Sequence, residues 1–212
     1  MKTILITATL SLAGIYLSGC MSDENGTAKV ITPMPGAVAA LTPEMQVKRG
    51  EYLVMSIGCD DCHSPKNFGP NGPEIDFSRR LSGRPADQPL AKIADKSILN
   101  DYALFAPDLT AAVGPWGTSF AANLTPDETG IGNWSEAQFL KAIREGKSKG
   151  LDGGRPLLPP MPWFVYRNMT DEDLKSIFAY LKTLTPVRNI VPAPIPPAPQ
   201  EQLSNLIEES SK

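Results

Sequence analysis

Residues 58–65 read Gly-Cys-Asp-Asp-Cys-His-Ser-Pro, two cysteines three positions apart with a histidine directly after the second. This is the C-x-x-C-H spacing by which a chain attaches haem c. Two thiols three residues apart each form a thioether with one haem vinyl group, and the adjacent imidazole then offers a nitrogen to the iron. Two other uses of paired cysteines fit less well. A dithiol redox centre calls for a βαβ context that the flanking sequence lacks. A zinc site needs a fourth ligand, and with three cysteines and one histidine in the chain a carboxylate would have to serve. Cys59, Cys62 and His63 are therefore expected to hold one covalent haem c. No second motif of this kind can be built from the cysteines present.

His63 is the only histidine, so the opposite face of the iron needs another ligand type if this chain supplies it. Methionine is the usual alternative in electron-carrying haem sites. Of seven methionines, Met1 falls in a leader, Met21 and Met34 fall in a polar stretch, and Met45 and Met55 precede the motif on its own side. Met169 stands just before a helix start and forms a hydrophobic staple with Leu174. Met161 remains, in Pro159-Pro160-Met161-Pro162, where three prolines restrict the backbone and present the sulfur at small ordering cost. Met161 is the expected second axial ligand; its plainer use is as a core-filling thioether.

Three helices are predicted around this site. The first has Thr42 as N-cap and Pro43 at the first helical position, with Val47, Gly50, Leu53, Val54 and Ile57 on one face. The second begins at Ser135, with Gln138 closing a capping box, turns Phe139, Leu140 and Ile143 inward, and stops near Gly146. The third begins at Thr170, carries Leu174, Ile177, Phe178, Leu181 and Leu184 on one face, and cannot pass Pro186. No convincing strand is expected between residues 64 and 134, a stretch rich in Gly, Pro, Asn and Asp. Such a loop suits a domain that packs part of its chain on a cofactor. The expected class is all-α, three to five helices wrapped around one haem with long Gly/Pro-rich loops.

The ends read differently. Lys2 followed by the apolar Thr3–Leu17 forms a signal peptide over residues 1–19, too short and too rich in Thr and Ser for a good membrane span. Leu17-Ser18-Gly19-Cys20 resembles a bacterial lipoprotein box, which implies cleavage before Cys20 and a lipid on its sulfur; the alternative is an ordinary secretory signal with a chance cysteine. Residues 20–41 are small and polar and read as a tether, the haem domain as 42–186, and 187–212 as a Pro-rich tail ending in a short helix. Net charge is −3 without a basic run, so no nucleic-acid partner is expected.

The motif at Cys59–His63, the Pro160-Met161-Pro162 loop and the closing Ala179-Tyr180-Leu181-Lys182 together resemble the bacterial monohaem cytochromes c. The run Asn123-Leu124-Thr125-Pro126-Asp127 to Thr129-Gly130-Ile131-Gly132-Asn133-Trp134, then Phe139 and Arg144-Glu145-Gly146, is more specific. It is similar to the cytochrome c subunits of membrane-bound alcohol and aldehyde dehydrogenases, over about residues 46–185. Those subunits carry several haem domains, and this chain carries one motif. The resemblance implies a close crossing of first and last helices at Gly50 near Tyr180. It implies a carbonyl, with Pro70 in Gly69-Pro70-Asn71 as candidate, accepting the proximal His63 N–H. Trp134 is implied either to pack on the haem edge, to donate to a propionate, or to fill the core.

These readings predict an electron carrier rather than an enzyme, either free or as a subunit of a larger oxidoreductase. Its expected partners are redox proteins of the respiratory chain or a periplasmic dehydrogenase or oxidase. It would be exported and held by lipid with its haem domain on the periplasmic side. A peroxidase would want an open iron and a distal acid–base group, and a gas sensor would want an output domain; neither is visible.

Overall fold

A computed structural model describes residues 41–197. The stretch expected to be a signal peptide, Cys20, most of the expected tether and the last fifteen residues lie outside the described residues. Among those described are five α-helices: α1 Pro43–Ser56, α2 Cys59–His63, α3 Glu136–Glu145, α4 Trp163–Tyr166 and α5 Asp171–Leu181. None is long and apolar enough to cross a membrane.

The helix starts follow their local chemistry. The Thr42 hydroxyl accepts the Met45 N–H ahead of Pro43. Ser135 and Gln138 exchange both bonds of a capping box, and α3 ends at Gly146 with φ 63°. Thr170 accepts the Asp173 N–H, and α5 ends five residues before Pro186, leaving Leu184 beyond the helix but still against the core. The apolar faces of α1, α3 and α5 meet in one core built on Leu53, Val54, Phe139, Ile143, Leu174, Ile177, Phe178 and Leu181. The Phe139 and Phe178 rings pack with centroids 5.3 Å apart.

α1 and α5 cross where α1 has no side chain. A Cβ on Gly50 would lie 1.9 Å from the Ser176 carbonyl oxygen and 2.7 Å from Tyr180 Cβ. The clash is with backbone, so no rotamer change relieves it. Gly50→Ala should therefore force the helices apart and cost at least about 2 kcal/mol. The thermal midpoint of the haem-loaded protein should fall by roughly 4–8 °C; an unchanged midpoint would refute the close crossing.

The expectation of an all-α chain is corrected between the helices. β1 Lys66–Gly69 and β2 Gly72–Ile75 form an antiparallel hairpin, with Lys66 opposite Ile75 and Gly69 opposite Gly72. Pro70 and Asn71 occupy its turn, a placement that suits a residue with preset φ followed by one that tolerates tight turns. β3 Leu104–Phe105, β4 Ala111–Gly114 and β5 Gly117–Phe120 form a second antiparallel sheet in that order. These strands are two to four residues long, too short for an alternating pattern to stand out in the sequence. The buried Arg84 ties this sheet to the loop after the motif, pairing with Asp108 at 3.3 Å and with Thr110 at 3.2 Å.

After α5 the chain runs extended along these parts. Val187 carbonyl accepts from Asn123, and the Asn189 amide donates to the carbonyls of Ser82 and Arg84. Ile195 bridges to Thr118 on β5.

Candidate functional site

α2 is the cysteine motif itself, one turn of helix entered through Gly58 directly after α1. Its i, i+3 spacing sets Cys59 and Cys62 on one side of the turn. Both are free thiols and half-buried. Burial, with Asp60 next in size, pushes the Cys59 thiol up to about 12. Burial likewise raises Cys62. Such an environment opposes a thiolate, and it costs an uncharged thioether nothing. Among the described residues no three His, Cys, Asp or Glu side chains converge as a metal cage.

His63 is oriented from across the chain. Its Nδ1–H donates to the Ala122 carbonyl at 2.8 Å, which leaves Nε2 with its lone pair free. Burial pushes the imidazole below its ordinary value, against a smaller upward effect of that carbonyl. Burial thus favours the neutral ring, the form that binds a metal.

The Ala122 carbonyl is itself held by a three-segment clasp. Gly83 N–H donates to the His63 carbonyl at 2.8 Å, Arg84 N–H to Ala121 at 3.0 Å, and Leu124 N–H to Leu81 at 2.8 Å. Gly83 has φ 78°, and a Cβ there would lie 2.4 Å from the Ala121 carbonyl oxygen. Only glycine admits both that conformation and that approach. The implied role of Pro70 is thereby corrected: the acceptor is Ala122, 59 residues from His63, while Pro70 stands exposed at the tip of the β1–β2 hairpin.

A second network steadies the motif from inside. Asp60, only 7% exposed, receives Arg80 Nε at 2.9 Å and a second guanidinium nitrogen at 2.6 Å. Ser64 Oγ donates to the same carboxylate at 2.7 Å and accepts the Leu81 N–H at 2.9 Å. The remaining Arg80 nitrogen reaches the Tyr180 hydroxyl on α5 at 2.8 Å. Leu81, fully buried, holds φ 59° between these bonds, a conformation costing about 1–2 kcal/mol that its surroundings must impose. Sequence reasoning missed this strap. Its only signal was an aspartate inside the motif with no evident use.

Met161 is half-buried and packs against the core at the entrance to α4. Three residues into that helix, the Tyr166 hydroxyl donates to the Ile57 carbonyl at 2.7 Å, beside the start of the motif. The Tyr166 phenol is raised chiefly by burial, and next by Cys59 and Cys62. The Met161 segment is therefore fastened to the haem motif through Tyr166, a residue the sequence did not single out. Met169 is half-buried against the same core as Leu174. Trp134 also lies half-buried against that core.

The run from Asn123 to Asn133 is mostly self-bonding. Asn123 Oδ1 accepts from both the N–H and the hydroxyl of Thr125, and Asp127 accepts from both of Thr129. Lys182, directly after α5, closes it by donating to the Gly132 carbonyl at 2.5 Å. This run fixes the segment that carries Ala122.

A motif turn for two thioethers, with an imidazole locked by a backbone carbonyl, defines the site of a c-type cytochrome. Comparison with known proteins agrees. The chain is 30% identical over 179 residues to the fructose dehydrogenase cytochrome subunit of Gluconobacter japonicus, covering 84% of this chain and 28% of that protein. It is 36% identical over 135 residues to the gluconate 2-dehydrogenase cytochrome c subunit of Pantoea cypripedii, covering 63% of this chain and 22% of that protein. It is 28% identical over 138 residues to the alcohol dehydrogenase (quinone) cytochrome c subunit of Gluconobacter oxydans, covering 65% of this chain and 21% of that protein. No family model matches. The chain spans less than a third of the length of these relatives. It contains a cytochrome c domain similar to those of dehydrogenase cytochrome subunits.

Proposed function

We propose that this protein is an electron carrier with a single haem c, bound through Cys59 and Cys62 and ligated by His63 and Met161. The observation that carries the reading is the Cys59–His63 turn with His63 Nδ1–H committed to the Ala122 carbonyl at 2.8 Å. The haem, when bound, supplies a metal that cycles between ferric and ferrous states and so takes one electron at a time. The chain does the rest. Ala122 fixes the tautomer and strengthens the imidazole as a donor. The core residues of α1, α3 and α5 pack against Cys59 and Met161. Met161 supplies a sulfur that favours the ferrous state.

We further propose that the carrier serves a dehydrogenase or another respiratory redox protein, and that export and lipidation at Cys20 hold it at the periplasmic side of a membrane. The relatives named as dehydrogenase cytochrome subunits support the first part, and the Leu17-Ser18-Gly19-Cys20 sequence supports the second.

Haem content tests the core of this reading. Pyridine haemochrome assay against protein concentration should return one haem per chain, resistant to acid–acetone extraction. Extractable haem, or two per chain, would overturn it. For the anchor, Cys20→Ser should move the haem-loaded protein from the membrane pellet to the soluble fraction. Retention in the pellet after carbonate washing would reject lipidation at Cys20.

A further inference from the structure

We infer that Ser119 is a positioning residue for Met161, holding the loop of the second axial ligand from across the fold. The inference rests on the reading of Met161 as that ligand. The loop has few bonds of its own. In Leu158-Pro159-Pro160-Met161-Pro162, three of five residues are prolines without an N–H to donate. The Met161 N–H reaches the Leu158 carbonyl at a long 3.3 Å. Proline rings stiffen such a segment, but they do not place it on the rest of the domain. Downstream, the Pro162 carbonyl accepts from Val165 and Tyr166, and the Tyr166 hydroxyl ties α4 to Ile57. Upstream, the tie is Ser119. Its hydroxyl donates to the Pro159 carbonyl at 2.6 Å, two residues before Met161. No other hydrogen bond among the described residues reaches Pro159.

The hydroxyl is itself firmly held. Ser119 stands on β5 opposite Ala112 of β4 and is 8% exposed. Trp116 Nε1–H donates to its Oγ at 3.3 Å, and the Ala112 carbonyl lies 3.4 Å away. A serine has one proton to give, and the Pro159 carbonyl is clearly the nearer acceptor. The Trp116 ring lies on Gly114, where a Cβ would come within 2.5 Å of it. β5 is bonded along both edges, by β4 on one side and by Ile195 on the other. Ile195 and Thr118 exchange N–H and carbonyl bonds at 2.7 and 3.0 Å. Three residues after Ser119, the same stretch presents the Ala122 carbonyl to His63. One braced segment thus touches both ligand-bearing parts of the chain, His63 through Ala122 and the Met161 loop through Ser119. A ligand is kept at bonding distance by supporting hydrogen bonds of this kind, and a sulfur allowed to drift yields its place to competitors.

Imidazole, which competes with the sulfur for the iron, is the probe. It is titrated into the oxidised, haem-loaded protein while the near-infrared sulfur–iron band is followed. Ser119→Ala should bind imidazole on the order of three- to tenfold more tightly than wild type, the range that one lost hydrogen bond covers, and its band should weaken. Ser119→Thr keeps the hydroxyl and should stay within about twofold of wild type. In a Met161→Ala background there is no sulfur to displace, so adding Ser119→Ala should change the affinity by less than about twofold. Thr42→Ala is the stability control. It removes the N-cap at the end of α1 away from the motif, and should lower the thermal midpoint without changing imidazole affinity. Unchanged affinity in Ser119→Ala would overturn the proposal, as would a gain that persists in the Met161→Ala background. A threonine variant that behaves like the alanine variant would also overturn it, since fit rather than the hydroxyl would then place the loop. Should Ser119→Ala fail to load haem, Trp116→Phe takes its place. That variant loses the N–H donated to Oγ and should bind imidazole about two- to threefold more tightly; an affinity equal to wild type would overturn the role of Ser119. A Met161→Ala protein that keeps the band and binds imidazole no more tightly than wild type rejects the ligand assignment itself, and the role of Ser119 falls with it.

Discussion

Met161→Ala should abolish the weak near-infrared charge-transfer band of a sulfur–iron bond in the oxidised protein and open the iron to carbon monoxide and cyanide. The sulfur favours ferrous iron, so the reduction potential should fall by on the order of 0.1–0.3 V, a fraction of the roughly 0.8 V that axial ligands can span. Folding should survive, because the crossing of α1 and α5 and the motif turn do not depend on that side chain. Met169→Ala is the control. It removes a half-buried side chain that shares the core with Leu174, should cost about 1 kcal/mol, and should leave the spectrum unchanged. If Met169→Ala loses the band and Met161→Ala retains it, the ligand is Met169. If the wild type already binds carbon monoxide quickly and lacks the band, the carrier reading gives way to an open-site haem protein.

Arg80→Leu should be among the most destabilising substitutions in the domain, at about 3–5 kcal/mol by denaturant unfolding of the haem-loaded protein. The reason is what it leaves behind. Asp60 would keep its charge in a buried position with Ser64 as its one remaining side-chain donor, and Tyr180 would lose its guanidinium partner. The guanidinium is itself raised above its ordinary value, chiefly by the hydrogen bond with Asp60. Removing both charges is gentler than removing one, so Asp60→Asn combined with Arg80→Leu should recover part of the loss, giving strongly non-additive energies. A loss below about 0.5 kcal/mol for Arg80→Leu would show that the strap bears little of the motif's stability.

What the chain declares locally is read correctly from sequence. Thr42 before Pro43, Ser135 with Gln138, and Thr170 with Asp173 each act on backbone groups within three residues, so their effect does not wait for the rest of the fold. The Cys59–His63 spacing is equally local, since one helical turn sets the two thiols and the imidazole. Chain positions alone therefore determined the helix starts, the apolar faces of α1, α3 and α5, and the motif turn that marks a c-type cytochrome site. Tertiary structure decided the partners of those groups. Ala122 reaches His63 across 59 residues, and Arg80 joins Asp60 and Tyr180 across 20 and 100. The small sheets, too, depend on which distant segments meet. A backbone carbonyl has no residue identity by which sequence could announce it, and a buried ion pair has value only where the fold excludes water. For both, the choice of partner belongs to the packed chain.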